Sequence, residues 1–199
     1  VLTDDIELVT WDVDGTLYSM AAVKRAVIFA GLRGLFSPRV VRNVRELSLL
    51  GRFRKTMARA RAAGGALPAA ALADRERVLA AEHRWYRPAI ARAGIAPGIV
   101  ELIDRFASAG IPQVVVSDYR ADYKLEVLGL RDRFAAVYAA EDHGALKPSP
   151  AVFEAVIADH HVALKHILHI GDRDDTDGQA ARAAGIHYGD RLALVGARD

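Results

Sequence analysis

The chain has 199 residues, 52% of them apolar, no cysteine and a formal net charge of +2. That length and apolar share support one good core with a modest second domain and exclude a disordered chain. The lack of Cys excludes disulfides, thiolate nucleophiles and thiolate-bound metal, and no apolar run approaches the roughly 20 residues needed to span a bilayer. The near-neutral balance conceals an uneven one, because 16 of the 27 Lys and Arg, but only 4 of the 25 Asp and Glu, fall between Tyr18 and Ala93. A domain boundary is the simplest cause of such a split. The acidic start, Val1 to Asp5, lacks the basic-then-apolar pattern of a signal peptide, so the cytoplasm is the expected location.

The first predicted element is a strand over 7–12, where Leu8-Val9-Thr10-Trp11 is β-branched and aromatic and Trp11 is expected in the core. It ends in Asp12-Val13-Asp14-Gly15-Thr16. A turn accounts for Asp14-Gly15 but not for Asp12 at the end of an apolar run. Two carboxylates so close repel each other unless a cation or a shared proton offsets the charge. Gly15 permits a sharp turn with exposed N–H groups.

The stretch from about 18 to 96 reads as all-helical. One helix covers 20–35. A second starts at Ser37-Pro38, with Ser as cap and Pro in the first position, and runs through 40–63 with Val41, Val44, Leu47 and Leu50 at helical spacing. Gly64-Gly65 breaks it. One or two further helices cover 68–90, with Leu72, Val78, Leu79 and Trp85 on the apolar side, and the Gly/Pro punctuation of 93–98 closes the segment. Solvated arginines on Ala-rich helices are the simplest reading of the basic excess. A basic lid over an anionic substrate comes next. Nucleic acid comes last, since no recognition motif accompanies the charge.

Beyond it, helix and strand alternate: a helix over 99–109 with Val100, Ile103 and Phe106 inward, and a strand over 111–116 ending in Ser117-Asp118. A helix over 122–128, a strand over 134–139, Lys147-Pro148 and a helix over 151–159 follow. A strand over 166–170 ends in Gly171-Asp172, before a helix over 178–184 and a short strand over 186–188. This alternation predicts a Rossmann-like parallel sheet in a three-layer α/β/α core, formed by 1–17 and 97–199, with 18–96 as a helical insert. Strands of a parallel sheet end on one edge, so Asp12, Asp14, Ser117 and Asp172 can meet there, with Lys147 on a loop nearby. The stretch Asp172 to Asp177 holds four carboxylates in six positions, crowding that is costly without a cation. Oxygen donors without Cys favour a hard ion, Mg²⁺ being the natural choice. Arg173 is expected to pair with adjacent carboxylates. The histidines show no zinc spacing, and neither a Gly-x-Gly-x-x-Gly nor a Walker A loop is present.

Four of these features, in this order, resemble the motifs of the haloacid dehalogenase-like hydrolase superfamily in its phosphatase form: Asp12-Val13-Asp14-Gly15-Thr16, Ser117, Lys147 followed by Pro148-Ser149-Pro150, and Gly171-Asp172 with Asp177. They span nearly the whole chain. The resemblance implies an aspartyl-phosphate mechanism with Asp12 as nucleophile and Asp14 as acid, then base. It implies Ser117 and Lys147 as phosphate-binding groups. Mg²⁺ would be held by Asp12, the backbone carbonyl of Asp14 and Asp172, with Asp177 supporting its water shell and Asp175 as a second candidate for that role. Dehalogenases and phosphonate-cleaving members lack the second Asp of the first motif, so Asp14 implies phosphate monoesters. The insert resembles the family's first type of helical cap, which is expected to move, exclude water and select the leaving group; Tyr18, Ser19, Arg52, Arg54 and Lys55 are its candidate lining residues. The expected substrate is a small phosphorylated metabolite, with no membrane or nucleic-acid partner and a monomer or homodimer as the assembly. A sugar-phosphate mutase shares the Asp12 and Asp14 chemistry, and a silent binding protein on the same fold is the reading from a different class.

Overall fold

The computed structural model describes residues 5–69 and 73–196. Strand β1 (Leu8–Trp11) is followed by helices α1 (Met20–Gly34), α2 (Val40–Ala62) and α3 (Arg75–Ala93). Then come α4 (Ile99–Ser108), β2 (Gln113–Ser117), α5 (Asp122–Leu128), β3 (Val137–Ala139) and α6 (Ala151–His160). The chain closes with β4 (Ile167–Gly171), α7 (Gln179–Ala183), β5 (His187–Asp190) and α8 (Arg191–Gly196).

The five strands form one parallel sheet in the order β3-β2-β1-β4-β5, with β1 at its centre. Successive side chains of a strand point to opposite faces, and the apolar runs use both. Val9, Trp11, Val115, Leu168 and Ile170 share one cluster with Ile99, Leu102, Ile103 and Phe106 of α4 and Leu125 of α5. Leu8, Val114, Val116 and Ile167 share the other with Val152, Phe153 and Val156 of α6 and Ala180 and Ala181 of α7. The result is three layers, helix–sheet–helix. Trp11 packs edge-on against Phe106 and Phe134, and its indole N–H donates to Gln113 Oε1 at 3.0 Å. Register pairs Trp11 with Val115 on one side and Ile170 on the other, so Asp12, Ser117 and Asp172 leave the sheet along the same edge.

Between β1 and α4 every described regular element is a helix, and none of these residues joins the sheet. Leu50, Phe53, Met57, Val78, Trp85 and Ile90 form an apolar interior continuous with one sheet face through Leu17, Tyr18, Ala96 and Tyr123. No helix of the described residues is long and apolar enough to cross a membrane.

Several local expectations are corrected. Helix α2 begins at Val40, not at Pro38, because the Ser37 hydroxyl accepts from the Arg39 N–H at 3.2 Å and forms a turn ahead of the helix. Val41 and Val44 are exposed. In α4 the inward set is Ile99, Leu102, Ile103 and Phe106, a helical i, i+3, i+4, i+7 row that leaves Val100 half-buried. The third strand is shorter than expected, starting at Val137, because Phe134 turns into the core against Trp11. Asp174 to Gly178 forms a wide helical turn before α7, and α8 follows β5 where no helix was anticipated. Leu72 lies outside the described residues.

Candidate active site

Asp12 emerges from β1 with its N–H donating to Ile170 O at 2.9 Å, so the strand ladder itself fixes its backbone. Its Oδ1 accepts from Lys147 Nζ at 2.7 Å and its Oδ2 from the Thr16 hydroxyl at 3.1 Å. The same ammonium lies 2.6 Å from Asp177 Oδ1 and donates to Val116 O at 3.2 Å. Thr16 also reaches Asp172 Oδ1 at 3.4 Å. Asp12, Asp172 and Asp177 each present a carboxylate oxygen, all within 4.8 Å of one another.

Two glycines permit this crowding. Gly15 has φ +112°, and a Cβ there would collide with the Asp172 carboxylate. A Cβ on Gly171 would sit 2.6 Å from the Asp177 carboxylate carbon. Asp177 is further held by the Arg173 N–H at 3.2 Å and faces His169 Nε2 at 3.6 Å. His169 is fully buried and bonded to the Thr10 hydroxyl at 2.8 Å, so it props the acidic cluster from behind. Burial lowers its pKa, which favours the neutral ring.

The electrostatics follow from four charges in little space. Burial pushes the Asp12 carboxyl up to about 7, against the pull of Lys147 and with a further push from Asp177. Burial and Asp177 together raise Asp172. Burial opposes ionisation of Asp177 as well, but Lys147 and His169 outweigh it and hold that carboxyl below its usual range. Lys147 loses stability to burial and regains more from Asp12 and Asp177, so its ammonium form is strongly favoured. Three carboxylates to one ammonium leave an excess of buried negative charge. The donor set is all oxygen, and a hard divalent cation fits it.

Asp14, two residues after Asp12 and just before the Gly15 turn, has a different set of partners. Its two oxygens accept from Lys124 Nζ at 2.8 and 2.7 Å, and the Tyr18 hydroxyl donates to it. Burial pushes its pKa up, but Lys124 and Tyr18 overcome that and lower it. Ser117 is 1% exposed, and its Oγ has no hydrogen-bond partner among the described residues. A buried hydroxyl without a partner at a cavity wall is a place for a ligand oxygen. Asp118 Oδ1 accepts from the Lys147 N–H at 2.9 Å, and Arg61 of α2 pairs with its other oxygen.

These groups surround a cavity of about 380 Å³. Asp12, Asp14, Ser117, Asp172 and Asp177 line its sheet side; Met20, Lys24, Arg54 and Arg61 line its helical side. Lys147 sits behind Asp12, 1% exposed, bridging Asp12 to Asp177 and not lining the cavity. Asp175 stands outside the acidic cluster: it is exposed and paired with Arg173 at 2.7 Å, because the wide turn that directs Asp177 inward directs Asp175 to solvent. Of the cap residues expected to line the site, only Arg54 does so. Tyr18 lies buried against Asp14, Ser19 caps α1, Arg52 bonds to Ser48, and Lys55 is exposed. Lys124, Arg61, Lys24 and His169 were not anticipated. The signal for Lys124 is slight, a lone cation in the short apolar helix Asp122–Leu128.

The family model for haloacid dehalogenase-like hydrolases matches residues 6–185. The chain belongs to that family. Haloacid dehalogenase-like hydrolase domain-containing protein 3 from Bos taurus is 36% identical over 80 residues, 39% of this chain and 32% of that protein. The chain thus matches about a third of the length of this curated relative. Among solved structures, magnesium-bound YfnB from Bacillus subtilis superposes with a TM-score of 0.67 at 18% identity, covering 93% of this chain and 88% of that one. L-2-haloacid dehalogenase from Xanthobacter autotrophicus superposes at 0.62 and 17% identity, covering 92% and 76%. At these identities the likeness is one of fold, and it extends to a dehalogenase, so the choice of reaction rests on the residues of the site.

Proposed function

We propose that this hydrolase is a Mg²⁺-dependent phosphatase acting on a small phosphate monoester through an aspartyl-phosphate. The observation that carries this reading is Asp14, a second carboxylate held over the cavity by Lys124 and Tyr18 beside the nucleophile candidate. A halide leaves without a proton, so such a group would be idle in dehalogenation, whereas an alkoxide leaving group needs one.

In the first step an Asp12 oxygen attacks phosphorus, the ester P–O bond breaks, and the leaving oxygen takes a proton from Asp14. In the second, Asp14 takes a proton from water, the hydroxide attacks phosphorus, and the bond to Asp12 breaks to give inorganic phosphate and a free carboxylate. The Lys124 and Tyr18 contacts favour the ionised Asp14 required of the base. An arriving phosphate dianion favours the protonated form required of the acid. Lys147 aligns Asp12 and favours its ionised form against burial, and the Ser117 hydroxyl donates to a phosphoryl oxygen. Asp12, the Asp14 carbonyl and Asp172 would hold the metal, with Asp177 behind them. Bound there, the ion offsets the repulsion between carboxylate and phosphate.

The test is a screen of phosphate esters with Mg²⁺, reading inorganic phosphate. Release that stops in excess chelator supports the reading. No release from any ester, or release unaffected by chelator, overturns it. Group transfer to a bound sugar phosphate without net release would indicate the mutase.

A further inference from the structure

The cations around the cavity divide into two sets. Lys147, Lys124, Arg61 and Arg173 each have a carboxylate partner within the chain. Arg54 and Lys24, both on the helical side of the same cavity, have none among the described residues. Arg54 is half-buried, its guanidinium lies 4.8 Å from the Tyr86 ring centre, and its Nη2 is 3.9 Å from Met20 Sδ. An aromatic face and a thioether hold the group in orientation without neutralising it. Partly withdrawing a guanidinium from water with no carboxylate in direct contact carries a cost, and a ligand anion in contact with it would offset that cost.

Its place in the cavity says which part of a ligand it meets. Arg54 meets Met20, two residues along the chain from Tyr18, whose hydroxyl donates to Asp14, so it stands on the Asp14 side. Asp14 is the group assigned to the leaving oxygen, and what lies beyond it is the leaving group. A cavity of about 380 Å³ leaves room for a few carbon atoms past a phosphate.

Resting on the phosphatase reading, we infer that the substrate's leaving group carries a second anion, a carboxylate or another phosphate, received by Arg54 with Lys24 beside it. The planar fork of Arg54 suits either oxyanion by paired hydrogen bonds. Lys24, exposed on the same wall, adds charge with less geometric demand.

The competing account is that both cations only raise the local potential for any anion. Three ligands separate the two accounts in calorimetry on the Mg²⁺-loaded protein: propylphosphonate, 3-phosphonopropionate and propane-1,3-diphosphonate. The first has one anionic end; the other two place a carboxylate or a second phosphonate at the far end of a similar chain. The expected result is about tenfold tighter binding of at least one two-ended ligand, the range of one charge-assisted contact. That preference should collapse in Arg54→Gln and partly survive in Arg54→Lys; Lys24→Gln should reduce it less. Which two-ended ligand gains tells carboxylate from phosphate. Equal binding of all three, or a preference that survives Arg54→Gln, overturns the inference. Selective binding without phosphate release from any ester would remove the phosphatase reading and leave the anion subsite standing. Release from esters without regard to a second charge would do the reverse.

Discussion

The two walls of the cavity treat charge in opposite ways. On the sheet side, Asp12 and Asp177 are paired with Lys147 and Asp14 with Lys124, and Asp172 completes an acidic cluster whose excess charge suits a metal ion. On the helical side Arg61 pairs with Asp118, but Arg54 and Lys24 face the cavity with no carboxylate partner among the described residues. Side chains paired within the chain are oriented before any substrate arrives, so their geometry needs little rearrangement at the moment of reaction. An unsatisfied one is completed by what binds. On the proposed reading the sheet edge would carry the chemistry and the helices the selection.

The sharpest way to break this comparison is to disturb the acidic cluster. Asp172→Asn removes one of three crowded carboxylates, and we expect both metal affinity and turnover to fall toward background, with chelation of the wild type giving the same loss. Calorimetric Mg²⁺ binding that is unchanged in the variant would contradict it. Asp14→Asn should slow turnover by about 10²–10⁴-fold, the usual contribution of a positioned proton-transfer group. With an ester such as p-nitrophenyl phosphate, whose leaving group needs no proton, the first step should recover in part. Lys124→Met, which unclamps the same carboxylate, should show the same dependence on leaving group with a smaller loss.

A fourth change tests how the walls are joined. Arg75 of α3 is 6% exposed and bonds to Glu141 at 2.5 and 2.8 Å and to Glu82 at 3.1 Å. Arg75→Met leaves two buried carboxylates without their cation, so we expect a loss of about 3–5 kcal/mol in denaturant unfolding. A stability change under 1 kcal/mol would mean that the helical insert does not depend on this tie. The smallest effect belongs to Glu46, which Arg42, Arg84 and Trp85 contact. Burial raises its pKa, but the bonds from Arg42 and Trp85 and the charges of Arg84 and Arg42 together outweigh this and bring it below 4.5. A depressed carboxyl contributes stability that is present above 4.5 and lost as pH falls through the folded value. Trp85 emission should thus change on acidification below pH 4.5 in the wild type and not in Glu46→Gln.

Much of the sheet side is legible in the sequence, because strand periodicity and chain order alone bring Asp12, Asp14, Ser117 and Asp172 to one edge. The clamp on Asp14 is not legible. Lys124 lies 110 residues away from it and reads as an ordinary polar position on a short helix. Only the packing of α5 against the sheet and the helical insert buries its ammonium. The sequence favours Asp177 by its spacing from Asp172 but leaves Asp175 as a second candidate, and the wide turn over 174–178 separates them. In the insert, basic residues recur on every face of long helices, so sequence spacing cannot say that Arg54 lines the cavity while Arg52 and Lys55 do not. That distinction comes from how α2 is rotated against α1 and α3.

The most direct test of the account is to trap the covalent step. Protein turning over a labelled phosphate ester with Mg²⁺ is quenched in acid, digested, and the phosphoryl group located by mass spectrometry. The account predicts acid-stable, alkali-labile label on Asp12, absent in Asp12→Asn, a variant that keeps its fold but no longer turns over. Label on Ser117 or on a histidine, or normal turnover by Asp12→Asn, would contradict it.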